Sequence, residues 1–130
     1  VTPLDCYVGL SAGSDSHSIN IKQPVGHLGC QYDFNAVRLF AEHISSPATD
    51  KDHPGINHVG AKFLMPMGDL KLYAGGSYVV IDGDQYIGTP ILGMVGTELG
   101  EGPVRFYTEY IMPMDNPSDG MAMGGVRLVF

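Results

Sequence analysis

Tryptophan is absent from this chain, and lysine and arginine number only seven against fourteen acidic residues, a formal net charge of −7. Nucleic-acid binding is excluded on that balance, because it needs a basic surface to neutralise phosphates. No apolar run approaches the ~18 residues of a membrane-spanning helix, so any membrane crossing must use strands. Cysteine is scarce as well: Cys6 and Cys30 are the only two, and no thiolate cluster for a metal centre can be built from them. In an exported chain the pair reads as one disulfide, whereas a reducing cytosol would favour free thiols. Since the chain starts at Val1 without a basic-then-apolar leader, the expectation is a mature form whose export signal has been removed.

What the sequence does contain is alternation. Eight runs with period two fall near 6–13, 24–34, 36–46, 56–65, 69–80, 90–99, 103–112 and 120–130, with no helical periodicity between them. Tight turns are expected at Asn35-Ala36, Pro66-Met67-Gly68 and Gly100-Glu101-Gly102. Longer polar connections cover Ser14–Gln23, Pro47–Gly55, Ile81–Thr89 and Pro113–Asp119. Short turns alternating with long loops predict one all-β domain over residues 1–130, an eight-stranded antiparallel up-and-down transmembrane β-barrel.

The phase of the charges decides which side faces lipid. One face of the runs carries Val8, Leu28, Leu39, Val59, Phe63, Val95, Phe106 and Leu128; the other carries Arg38, Glu42, Lys62, Lys71, Glu98, Arg105, Glu109 and Arg127. A lipid-facing charge near the bilayer midplane costs ~2–4 kcal/mol, while a lumenal one can pair with its opposite. The charged set is therefore placed inside, as an ion-pair network filling a lumen too narrow for an open pore, with a proton or ion relay as a second reading. A soluble barrel carrying an apolar ligand would show the reverse pattern. Cys6 and Cys30 share the outward phase and read as cross-strand neighbours.

The final residues, Gly124 to Phe130, alternate and stop on an aromatic, with Val126, Leu128 and Phe130 in one phase. This stretch resembles the terminal strand of bacterial outer-membrane barrels, where such an ending is the membrane-insertion signal; the whole pattern resembles the small OmpA/OmpX-like class. The resemblance implies an outer-membrane location with periplasmic termini, four extracellular loops and a structural or surface-interaction role. It implies outer-membrane lipids and lipopolysaccharide as surroundings, with an extracellular protein partner reached through loops rich in Asp15, Asp50, Asp52, Asp82, Asp84, Asp115 and Asp119.

A second, local resemblance lies in Glu42-His43-Ile44-Ser45-Ser46 and His53-Pro54-Gly55-Ile56-Asn57, which look like the active-site stretch of the PagL-like lipid A deacylases. It implies His43 as general base and Ser45 as nucleophile. Asn57 stands where that family has an acid, and an amide supports an imidazolium far less well, by ~10⁴ in turnover in the analogous serine-protease change. The five histidines are otherwise scattered; no metal site and no cofactor is expected.

Overall fold

The computed structural model describes residues 4–14, 24–45, 56–80, 91–100 and 102–130. They form eight strands: β1 (Leu4–Ser14), β2 (Val25–Phe34), β3 (Val37–Ser45), β4 (Ile56–Met67), β5 (Leu70–Val80), β6 (Ile91–Leu99), β7 (Val104–Pro113) and β8 (Met121–Val129). Each pairs antiparallel with the next, and β8 returns to β1, closing the barrel. Closure matters because it pairs the two outer strands whose edges an open sheet would leave exposed. The C-terminal Phe130 completes the seam: its N–H donates to the Cys6 carbonyl at 2.8 Å, and the Cys6 N–H donates to the Phe130 carbonyl at 3.2 Å.

The β2–β3 turn uses Asn35 at φ 56°, a left-handed conformation that asparagine tolerates better than most residues. The β4–β5 turn differs from the expected Pro66-Met67-Gly68. β4 runs on through Met67, which pairs with Leu70, and the turn is Gly68-Asp69 with Gly68 at φ 68°. Proline is tolerated in the strand here because β3 pairs with β4 only as far as Phe63, so this hairpin projects with one free side. Pro113, expected in a loop, likewise ends β7 and pairs with Leu92.

The usual distribution of apolar residues is inverted. Among the described residues, exposed large hydrophobic side chains outnumber the buried hydrophobic ones, and they ring the outside: Leu10, Leu28, Leu39, Phe63, Phe106 and Leu128 are all more than half exposed. Among the described strand residues no Asp, Glu, Lys or Arg points outward. Inside, the end of the lumen near the loops is filled by Val25, Ile44, Ile56, Val79, Leu92, Ile111 and Met121, and the end near the turns by charge.

Candidate functional site

The lumen is assembled from short rows that cross neighbouring strands. On β1, β2 and β3 the residues Tyr7, Gly29 and Glu42 lie side by side. A Cβ on Gly29 would stand 2.7 Å from the Tyr7 hydroxyl and 2.6 Å from the Ala41 carbonyl. Glycine is therefore what lets the tyrosine lie across β2 and donate to Glu42 Oε2 at 2.6 Å. On β5, β6 and β7 the same row recurs as Tyr73, Gly96 and Glu109, where Tyr73 donates to Glu109 Oε1 at 2.7 Å.

Glu42 is 4 % exposed and is the hub of the first row. His58 Nε2 lies 2.9 Å from its Oε1, His27 Nδ1 3.4 Å from its Oε2, and Arg127 Nη2 3.9 Å from the same oxygen. Each imidazole continues to a serine: His27 Nε2 is 3.0 Å from Ser11 Oγ, and His58 Nδ1 is 2.9 Å from Ser77 Oγ. The order serine, imidazole, carboxylate is that of a nucleophilic triad. Both serines are buried in the barrel wall, under lumenal side chains, so the arrangement satisfies buried polar groups instead of presenting a nucleophile. A carboxylate in low dielectric needs such partners on each oxygen.

The remaining charges interlock around this hub. Lys62 Nζ lies 3.4 Å from Glu109 and sits over the rings of Phe40 and Tyr73, each at 4.6 Å. The Arg127 guanidinium sits over Tyr7 at 4.5 Å and Tyr107 at 4.3 Å. Nearer the turns, Glu98 gathers Arg38 at 3.4 Å, Arg127 and Arg105 at 3.8 Å and Lys71 at 4.0 Å. Arg38 is also held by Asp33 through two hydrogen bonds of 2.7 and 3.0 Å. The structure thus brings Arg38, Glu42, Lys62, Lys71, Glu98, Arg105, Glu109 and Arg127 into one connected interior. The sequence reading left out Tyr7, Tyr73, His27 and His58; their inward phase was the available signal, and the register that joins them to glutamates was not.

On the outer face, His43 and Asn57 are directly paired on β3 and β4, with Nδ1 and Oδ1 2.8 Å apart. Ser45 shares their face one repeat toward the loops. Among the described residues no hydrogen bond joins Ser45 to His43, so the pair forms without the third member. Ser46, Asp50, Asp52 and His53 lie outside the described residues, as do Asp15, Asp82 and Asp84. Asp115 and Asp119 are described, in the loop that follows β7, where Tyr110 donates to the Pro117 carbonyl at 2.7 Å and accepts from the Gly120 N–H at 2.9 Å.

Cys6 and Cys30 are paired across β1 and β2 and joined by a disulfide. Of the three C-terminal residues, Leu128 and Phe130 are 51 % and 75 % exposed and Val126 is partly covered. Among the described residues no cluster of His, Cys, Asp or Glu could hold a metal ion.

No family model matches the chain, and no curated protein matches it in sequence. Among solved structures it is similar to Neisserial surface protein A, at 15% identity and a TM-score of 0.48, over 98% of this chain and 96% of that one.

Proposed function

We propose that this chain is an integral outer-membrane barrel with a structural or surface-interaction role, closed to diffusion, its termini on the periplasmic side. One observation carries the reading: apolar residues encircle the outside while every described lysine and arginine lies in the lumen. In water, a belt of this extent far exceeds the apolar patches of soluble proteins, typically ~300–600 Å². In a bilayer it is the expected surface, and strands of nine to twelve residues match the ~9–11 that cross a membrane. Lipids and lipopolysaccharide are then the belt's surroundings, and the acidic loops are the surface offered to a protein partner. The test is refolding with and without detergent or lipid vesicles, followed by electrophoresis with and without boiling. A compact, heat-modifiable form only with amphiphile, and no conductance in planar bilayers, supports the reading; a monodisperse folded protein in plain buffer overturns it.

The His43–Asn57 contact favours a second reading, a lipid A deacylase in which Asn57 orients His43 and Ser45 is the nucleophile. Lipid A from expressing cells, weighed by mass spectrometry, would lose one acyl chain in a manner abolished by Ser45→Ala. Unchanged lipid A beside folded, inserted protein removes this reading and leaves the first standing.

A further inference from the structure

The two rows Tyr7–Gly29–Glu42 and Tyr73–Gly96–Glu109 belong to a larger correspondence. Pairing β1 to β4 with β5 to β8 in order, Tyr7-x-Gly9-x-Ser11 meets Tyr73-x-Gly75-x-Ser77, and Gly26-x-x-Gly29 meets Gly93-x-x-Gly96. Val37-Arg38, Glu42 and Ile44 meet Val104-Arg105, Glu109 and Ile111 at identical spacing, and Gly60-x-Lys62 meets Gly125-x-Arg127.

The strand registers repeat as well. Tyr7 opposes Gly29 as Tyr73 opposes Gly96; Gly29 opposes Glu42 as Gly96 opposes Glu109. Glu42 opposes His58 as Glu109 opposes Met123. The seam between the halves follows suit: Lys62 opposes Gly75 across β4 and β5, and Arg127 opposes Gly9 across β8 and β1.

The contacts between the halves are reciprocal. Lys62 of the first half reaches Glu109 of the second, while Arg127 of the second approaches Glu42 of the first. Each cation lies between a ring of its own half, Phe40 or Tyr107, and a tyrosine of the other, Tyr73 or Tyr7. Such reciprocity, residue i on j and j on i, is the mark of an isologous two-fold interface. Lumen packing alone does not account for it, because Val37 and Val104, and Gly26 and Gly93, lie on the outward phase and also coincide.

We infer that this barrel is a tandem duplication of one self-complementary four-stranded unit, and that outward-facing polar residues found in the first copy alone are additions beyond the needs of the fold. The second copy serves as an internal control. Where it has Met94 and Met123, the first has His27 and His58 on Glu42; where it has Tyr110, Met112 and Ala122 outside, the first has His43, Ser45 and Asn57. The outward polar set is thus the part of the surface that the barrel does not require, and its position on the apolar belt suits a neutral hydrogen-bonding ligand, such as the ester or amide linkages of a membrane lipid. This assignment of ligand rests on the membrane reading above; the duplication does not.

The test uses full-length chains. In one, residues 4–65 are replaced by a second copy of 70–130, which keeps Pro66 to Asp69 as the connection into β5; a circular permutant starting at Leu70 controls for connectivity. We expect both to give the heat-modifiable form with a denaturant midpoint within about 1 M of the parent. A permutant that folds beside a doubled chain that does not overturns the duplication. Should both rearranged chains fail, the exchange Lys62→Arg with Arg127→Lys in the unrearranged protein decides: retained folding supports equivalent halves, and loss of folding overturns them. For the added site, His43→Tyr, Ser45→Met and Asn57→Ala together should leave folding unchanged and abolish Overhauser contacts between the residue 43 and 57 side chains and the ester region of phospholipid micelles. A triple variant that fails to fold, or a parent protein without those contacts, overturns that assignment.

Discussion

The lumen is filled on two different principles along its length. Toward the turns it holds Arg38, Lys71, Glu98 and Arg105 in a web of ion pairs; toward the loops it holds Val25, Ile44, Leu92, Ile111 and Met121, all 0 % exposed. Glu42 and Glu109 lie between the two. The polar half gains specificity of register, because each charge has few acceptable partners, and it loses heavily if one partner goes. The apolar half is more forgiving of exchange but sensitive to lost volume. The loop side is therefore an apolar filling of this barrel and the turn side a polar lock.

The largest effect that separates the two is expected from Glu42→Ala. It removes the acceptor of Tyr7, the partner of His58 and His27, and the counter-charge of Arg127 at once. Breaking a buried charge set from one side costs about 3–5 kcal/mol, read as a fall in stability in equilibrium urea unfolding from vesicles. In the apolar half, Ile44→Ala should cost about 2–4 kcal/mol by the same measurement, through lost burial and the cavity left behind. An Ile44→Ala cost equal to that of Glu42→Ala would erase the contrast.

Combining variants sharpens it. Glu42→Ala with Arg127→Met should cost less than the sum of the two by about 0.5–3 kcal/mol, because the second change removes the charge that the first leaves stranded. Glu42→Ala with Ile111→Ala, at positions on β3 and β7 that neither pair as strand neighbours nor share a hydrogen bond or ion pair, should add to within about 0.5 kcal/mol.

How much of this could be read from the sequence varies with the range of the interaction. Period-two alternation and the phase of charge reveal the eight strands, their inward and outward faces and the pairing of Cys6 with Cys30, since each depends on residues near in sequence or on symmetry about one loop. The extent of β4 was hidden, because Pro66 is a turn signal unless the hairpin is known to project beyond β3. The Glu42 hub was hidden for another reason: it joins β1, β2, β3, β4 and β8, and its membership depends on register, which a one-residue slip would alter. The apolar loop-side half was missed because Ile44, Leu92 and Ile111 occupy the inward phase that the charged residues had defined. His43 and Asn57 were legible as members of one local set, and the structure joins them; among the described residues no hydrogen bond enlists Ser45.

The smallest expected effect lies at the mouth of the polar half. Lys71 is 22 % exposed at its side chain and reaches Glu98 at 4.0 Å, while Arg38, Arg105 and Arg127 serve the same carboxylate at shorter range. Water screens it, and the glutamate keeps its other partners when it is gone. Lys71→Ala should therefore cost less than about 1 kcal/mol, and the difference from the parent should shrink as salt is raised. Arg38→Met, with a guanidinium 1 % exposed and bonded to both Asp33 and Glu98, should show a larger loss that salt hardly alters. Equal salt sensitivity in the two variants would mean that water reaches the depth of Arg38 as freely as the mouth, and that the polar lock is wet throughout.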